Sequence, residues 1–180
     1  MGVLQSETPV LPVPLSEVKA FLRISVGDED ALLAGFVRAA VELCESFTGR
    51  ALIERTVAEM VAAATVRTRL TGAPVRAVES VATIDQAGEA TLLDAEAYTA
   101  EVDAAGEGWV RLRAATDAKR LRVTYRAGLA ADWNGIPEML RHGIVRQAAH
   151  LYQRRGEAED AGMPAAVTAL WRRWRRLRLN

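Results

Sequence analysis

The hydrophobic period changes twice along these 180 residues, and a fold has to satisfy both periods. Between Leu32 and Phe47 the apolar residues Leu32, Leu33, Phe36, Val37, Ala40, Val41, Cys44 and Phe47 recur every three or four positions. That spacing predicts a helix with one buried face. Asp28 in an N-cap position, Glu29 and Asp30 in the first turn and Gly49 past the end predict its span as 28–48. Upstream, "SEVKAFLRI" predicts a short helix capped by Ser16, with Val18, Phe21 and Leu22 on one side and Gly27 as its stop. From about Leu52 the period drops. "TVAEMVA", "TVRTRL", "SVATID", "EATLL", "YTAEV", "WVRLR" and "RLRVTYRAG" are rich in Val, Thr, Leu and aromatic residues and are separated by turn signals, among them Gln86 to Gly88 and Gly106 to Gly108. After Gly128 the helical period returns, in "PEMLRHGIVRQAAHLYQRR" and in a last helix expected from Pro164 to Arg178.

Helix, helix, strands, helix, helix is an α+β order: a bundle of helices from both chain ends with an inserted antiparallel β block. The expected division is a flexible Pro-rich arm over 1–14, a helical body over 15–50 and 129–180, and the β block over 51–128. With 50% hydrophobic residues the chain has enough apolar surface for a sizeable core. Cys44 is the only cysteine, which excludes an internal disulfide and a thiolate-cluster metal site. No run approaches the roughly 20 apolar residues of a membrane span, and "MGVLQSETPVLPVP" lacks the features of a signal peptide, so a cytoplasmic origin and no membrane partner are expected.

Recognisable chemistry is missing. His142 and His150 lie eight apart on one helix, about 12 Å along its axis, too far to share a metal ion. There is no HExxH, CxxC, GxSxG, P-loop or EF-hand pattern, and "GEG" at 106–108 suits a hairpin rather than a phosphate loop. No catalytic residue, metal ligand or cofactor is assigned, and a non-enzyme is expected.

Charge gives a sharper signal. The formal net charge is zero, yet the last ten residues, "WRRWRRLRLN", hold five arginines and no acid, which leaves −5 for everything before them. On a helix Val167, Leu170, Trp171, Trp174 and Leu177 form one apolar stripe, with Arg172, Arg173, Arg175, Arg176 and Arg178 on its flanks and back. Trp and Arg are the residues most enriched at binding hot spots. Leu170, Trp171, Arg172, Arg173, Trp174, Arg175, Arg176, Leu177 and Arg178 are therefore expected to form a docking element whose two indoles wait for a partner. A basic amphipathic helix also fits nucleic acid, through a small DNA-binding module, or less readily a membrane surface.

Two segments resemble a known family. "PLSEVKAFLRISVGDEDALLAGFVRAAVELCESFTGRALIERT" is similar to the N-terminal signature of the head-tail connector (adaptor) proteins of tailed bacteriophages, with its acidic helix start and "TGR" end. "YRAGLAADWNGIPEMLRHGIVRQAAHLYQRRG" followed by "MPAAVTALWRRWR" is similar to the C-terminal part of that family. The branch it most resembles carries a β insertion and includes prophage proteins and the adaptor of gene transfer agents. The resemblance implies a structural protein at the head-tail junction of a particle. It implies a dodecameric ring of self-associated subunits under the portal protein, a tail-side connector on the other side, and DNA passing through the channel. In that setting the C-terminal element docks on the portal, and Asp28, Asp30, Glu42, Glu45, Arg50, Arg146, Arg154 and Arg155 are the candidates for charge pairing in the ring body.

Overall fold

The structure, a computed structural model, describes residues 3–5, 13–156 and 162–176. The chain separates into two compact units, one of Met1–Thr8 with Ile53–Leu129 and one of Pro9–Leu52 with Ala130–Asn180. It is α+β, with helices from both chain ends and the strands between them.

The helical unit contains α1 (Leu15–Leu22), α2 (Asp30–Thr48), α3 (Glu138–Gln153) and α4 (Ala165–Arg172). The inward stripe of α2 is Leu33, Val37, Ala40, Cys44 and Thr48, and it follows the period seen in the sequence. Gly49 ends the helix in the left-handed region, at φ 68°, where a side chain would be strained, and its N–H donates to Glu45 O at 2.8 Å. Two expected caps are corrected. Neither Ser16 nor Asp28 caps a helix: α1 begins at Leu15 behind Pro14, and α2 begins at Asp30 behind Glu29, neither start having a side-chain cap bond. The Glu29 carboxylate is engaged elsewhere, accepting from the Tyr152 hydroxyl and from Arg155 at 3.2 Å. Lys19 Nζ donates to Asp30 at 2.7 Å and ties α1 to α2, while Trp133 Nε1 donates to Glu17 at 2.9 Å and ties α1 to the approach to α3.

The β unit has a five-stranded antiparallel sheet in the order β1-β2-β8-β4-β5 and a three-stranded one in the order β3-β7-β6. The strands are β1 (Val3–Gln5), β2 (Arg55–Ala62), β3 (Thr68–Arg69), β4 (Val75–Ile84), β5 (Ala90–Leu92), β6 (Tyr98–Val102), β7 (Gly108–Leu112) and β8 (Arg120–Ala127). Seven of them fall on the segments picked out by their strand period. The eighth, β1, pairs with β2 at the sheet edge, within a stretch whose proline content suggested only an extended arm. Both sheets contribute to one apolar core, with Val57, Val61, Val81, Leu121 and Val123 from the larger and Val110 and Leu112 from the smaller. Within it Glu59 is fully buried, and its Oε2 accepts from the Tyr125 hydroxyl at 2.7 Å and from Thr71 N–H at 2.9 Å. Burial and the Glu59 carboxylate push the Tyr125 hydroxyl well above the usual tyrosine range. Two hairpin tips, "DQAGE" at 85–89 and "DAAGE" at 103–107, share one design. In each, the aspartate carboxylate accepts from the glutamate N–H at 2.8 Å and the glycine takes a positive φ.

Candidate docking site on the C-terminal segment

α4 is shorter than its sequence predicts. It ends at Arg172, and a tighter turn follows in which Trp174 N–H donates to Trp171 O at 2.9 Å. The chain leaves the helix because it finds better partners at the far end of α2. Arg176 N–H donates to Thr48 O at 2.9 Å, the Arg176 guanidinium donates to Gly49 O at 3.3 Å, and Arg50 Nε returns a bond to Trp174 O at 2.9 Å. The last carbonyls of a helix lack intrahelical donors and carry partial negative charge, so a cationic segment is a fitting cap.

This placement splits the expected docking element into two halves. Val167 and Trp171 are buried, Trp171 at 0% exposure. The Trp171 indole lies over Gly143 of α3, whose missing side chain makes the seat: a Cβ there would fall 2.2 Å from Nε1. Its ring packs at 6.1 Å from Phe47, and Nε1 donates to Leu140 O at 3.4 Å. Trp171 is therefore corrected from a partner-seeking anchor to part of this chain's own core. The sequence pattern could not separate the two roles, because an amphipathic stripe looks the same whichever surface covers it. Leu170, Trp174 and Arg176 are half-buried, whereas Arg172, Arg173 and Arg175 are exposed. Arg175 also lies over the Phe47 ring at 5.7 Å. Leu177 and Arg178 lie outside the described residues.

The candidates for ring pairing separate in the same way. Asp30 is held by Lys19, Glu45 accepts from Leu52 N–H at 2.8 Å, Arg50 holds Trp174 O, and Arg155 is paired with Glu29. These four serve contacts inside the helical unit, although Asp30 and Arg155 keep part of their side chains open. Asp28, Glu42, Arg146 and Arg154 are exposed, and Arg146 Nε donates to His142 Nε2 at 2.8 Å. The sequence reading missed Gly143, Phe47, Thr48 and Gly49 as the seat and anchor of the tail. Gly143 alone left a trace, a glycine in the middle of a strong helical pattern, which usually marks a close approach.

Among the described residues no group of three or more His, Cys, Asp or Glu could hold a metal ion, and no helix is long and apolar enough to cross a membrane. Cys44 is fully buried, and burial followed by the Glu45 charge pushes its thiol far above the ordinary range, so it is not poised as a nucleophile.

Residues 13–92 match the family described as phage gp6-like head-tail connector protein. The fold is shared along the whole chain with solved particle proteins. A chain from the neck of an empty gene transfer agent (GTA) particle computed with C6 symmetry superposes with a TM-score of 0.84 at 27% identity, covering 100% of this chain and 98% of that one. A chain from the virion of a native GTA particle gives 0.82 at 28% identity, and one from the neck of a native GTA particle computed with C12 symmetry gives 0.79 at 27%, both with the same coverage. No curated protein matches.

Proposed function

We propose that this protein is the head-tail adaptor of a gene transfer agent or related tailed-phage particle. Twelve copies form a ring beneath the portal, continue the DNA channel from capsid to tail, and receive a tail-side connector on the opposite face. The protein is a structural part and not an enzyme. The observation that carries this reading is the full-length likeness to chains from GTA necks, particles whose necks were computed with sixfold and twelvefold symmetry. In that setting the outer half of the C-terminal segment meets the portal: Arg172, Arg173 and Arg175 with the open edges of Leu170 and Trp174, followed by Leu177 and Arg178. Each subunit's contact is modest, but a ring multiplies it, so a few exposed side chains per copy suffice.

The direct test mixes the purified chain with tailless capsids that carry a portal. Wild-type protein is expected to co-sediment with the capsids and to appear by electron microscopy as a ring of twelve below the portal. Protein that stays in the supernatant, with no density under the portal, would end this reading. Replacing Arg172, Arg173 and Arg175 together by Glu should abolish recruitment while the chain stays folded.

A further inference from the structure

Among the described residues, five of the eight large hydrophobic side chains that stand exposed belong to the helical unit, and four of these sit on its helices in two separate places. On α2, Leu32 and Leu43 are 45% and 39% exposed. They are eleven residues apart, three turns of helix, so they share one line. Ala39 and Ser46 beside that line are small and leave room for a close approach. Glu42 is exposed on its edge, next to Leu43. Arg38, the cation of this helix, is exposed farther round, about 120° from the leucines at 100° per residue. The same arithmetic puts the leucine line about 110° away from the stripe through Leu33, Val37 and Cys44 that α2 turns into its own core.

The second place is where α1 meets α3. Phe21 is 47% exposed there, and Met139 of α3, next in sequence to Glu138, is 36% exposed. Phe21, with Glu17, Glu138, Arg141, His142 and Val145, lines a shallow groove. Of its carboxylates, Glu17 accepts from Trp133, and Glu138, 79% exposed, is paired with Arg141. Arg146 is exposed one turn beyond His142 and bonded to it.

We infer that these two surfaces are the two sides of one joint: the Leu32–Leu43 line of α2 in one copy lies in the α1/α3 groove of the next, with Glu42 meeting the Arg146–His142 pair. The occupant is a second copy of this chain. Each surface has apolar area to cover, and the exposed Glu42 of one has the exposed Arg146 of the other as its counterpart. A contact between two different patches is heterologous, which is the kind that closes into a ring. The inference rests on the ring reading above and supplies the subunit joint that reading leaves open. Of the charged candidates for the ring body it keeps Glu42 and Arg146, and it adds His142.

Two charge-reversed proteins test it, one carrying Glu42→Arg, the other Arg146→Glu. Sedimentation velocity at low salt and high protein concentration reads association without any portal, so this result is independent of capsid recruitment. Far-ultraviolet circular dichroism checks that each variant is folded. Wild type should self-associate, and each variant alone should do so more weakly, on the order of 10-fold, because like charges then face each other. An equal mixture should recover, since every joint then pairs opposite signs in alternation, and a chain carrying both changes should also self-associate again. A third variant, Leu32→Ser with Leu43→Ser, should weaken association without any rescue by the charge-reversed chains. Wild type that stays a monomer, either charge variant associating as wild type does, or a mixture no stronger than its components overturns the joint. Wild-type recruitment to portal-bearing capsids separately decides the adaptor reading.

Discussion

Trp171 and Trp174 stand three residues apart, in the same apolar stripe and the same basic context, yet the structure uses them oppositely. Trp171 is enclosed between α4, α3 and Phe47, over the gap left by Gly143. Trp174 lies past the helix end with its carbonyl held by Arg50 and its side chain half open. The difference teaches that the inner half of the tail contributes to the subunit's own stability and that the subunit itself places Arg172 to Arg176. A segment that is already ordered loses less entropy on docking.

Four measurements would break or sharpen that contrast. The largest effect belongs to Trp171→Ala, which empties the space above Gly143 and should destabilise the helical unit by about 3–5 kcal/mol in urea unfolding. An unchanged midpoint would erase the distinction between the two indoles. Next, Gly143→Ala places a methyl group against the indole and should cost about 1–3 kcal/mol, the loss being relieved when Trp171 is also made smaller. Arg176→Ala removes the guanidinium bond to Gly49 O while the backbone bond to Thr48 O survives, and about 0.5–1.5 kcal/mol is expected in the same assay. Smallest of all in stability, the combined Arg172, Arg173 and Arg175 to Ala change should move unfolding by no more than about 0.5 kcal/mol in total while lowering capsid recruitment sharply.

Cys44 offers a built-in monitor of the inner half. Its thiol keeps its proton in the folded protein to a higher pH than the ordinary value of 9.0 and should be inert to a thiol reagent at about pH 8 in wild type. It should become reactive as the Trp171→Ala protein opens. The raised value also fixes a sign: the unfolded chain releases this proton first, so the contribution to stability is complete below about pH 9 and declines as pH climbs above it.

The sequence made α2 and α3 legible because a single 3.6-residue period runs through each, and seven strands because their period-two stretches are separated by turn residues. Long-range consequences were not legible. The alternation in "TVAEMVA" places Glu59 between Val57 and Val61 on the core face, but only Tyr125 and Thr71, distant in sequence, explain how a carboxylate is accommodated there. The twin hairpin tips make the same point. A Cβ on Gly88 would meet nothing within 4 Å, while one on Gly106 would meet Pro74 at 2.4 Å, although the two five-residue strings differ at one position. For the tail, the stripe was visible and its covering was not, since a helix pattern records that a face is apolar but not what lies against it.

The bond from Arg176 N–H to the Thr48 carbonyl joins the tail to the last turn of the longest helix by backbone rather than by a swinging side chain. Under the docking proposed above, a load on the tail would reach α2 through the main chain, as a guy rope loads its mast.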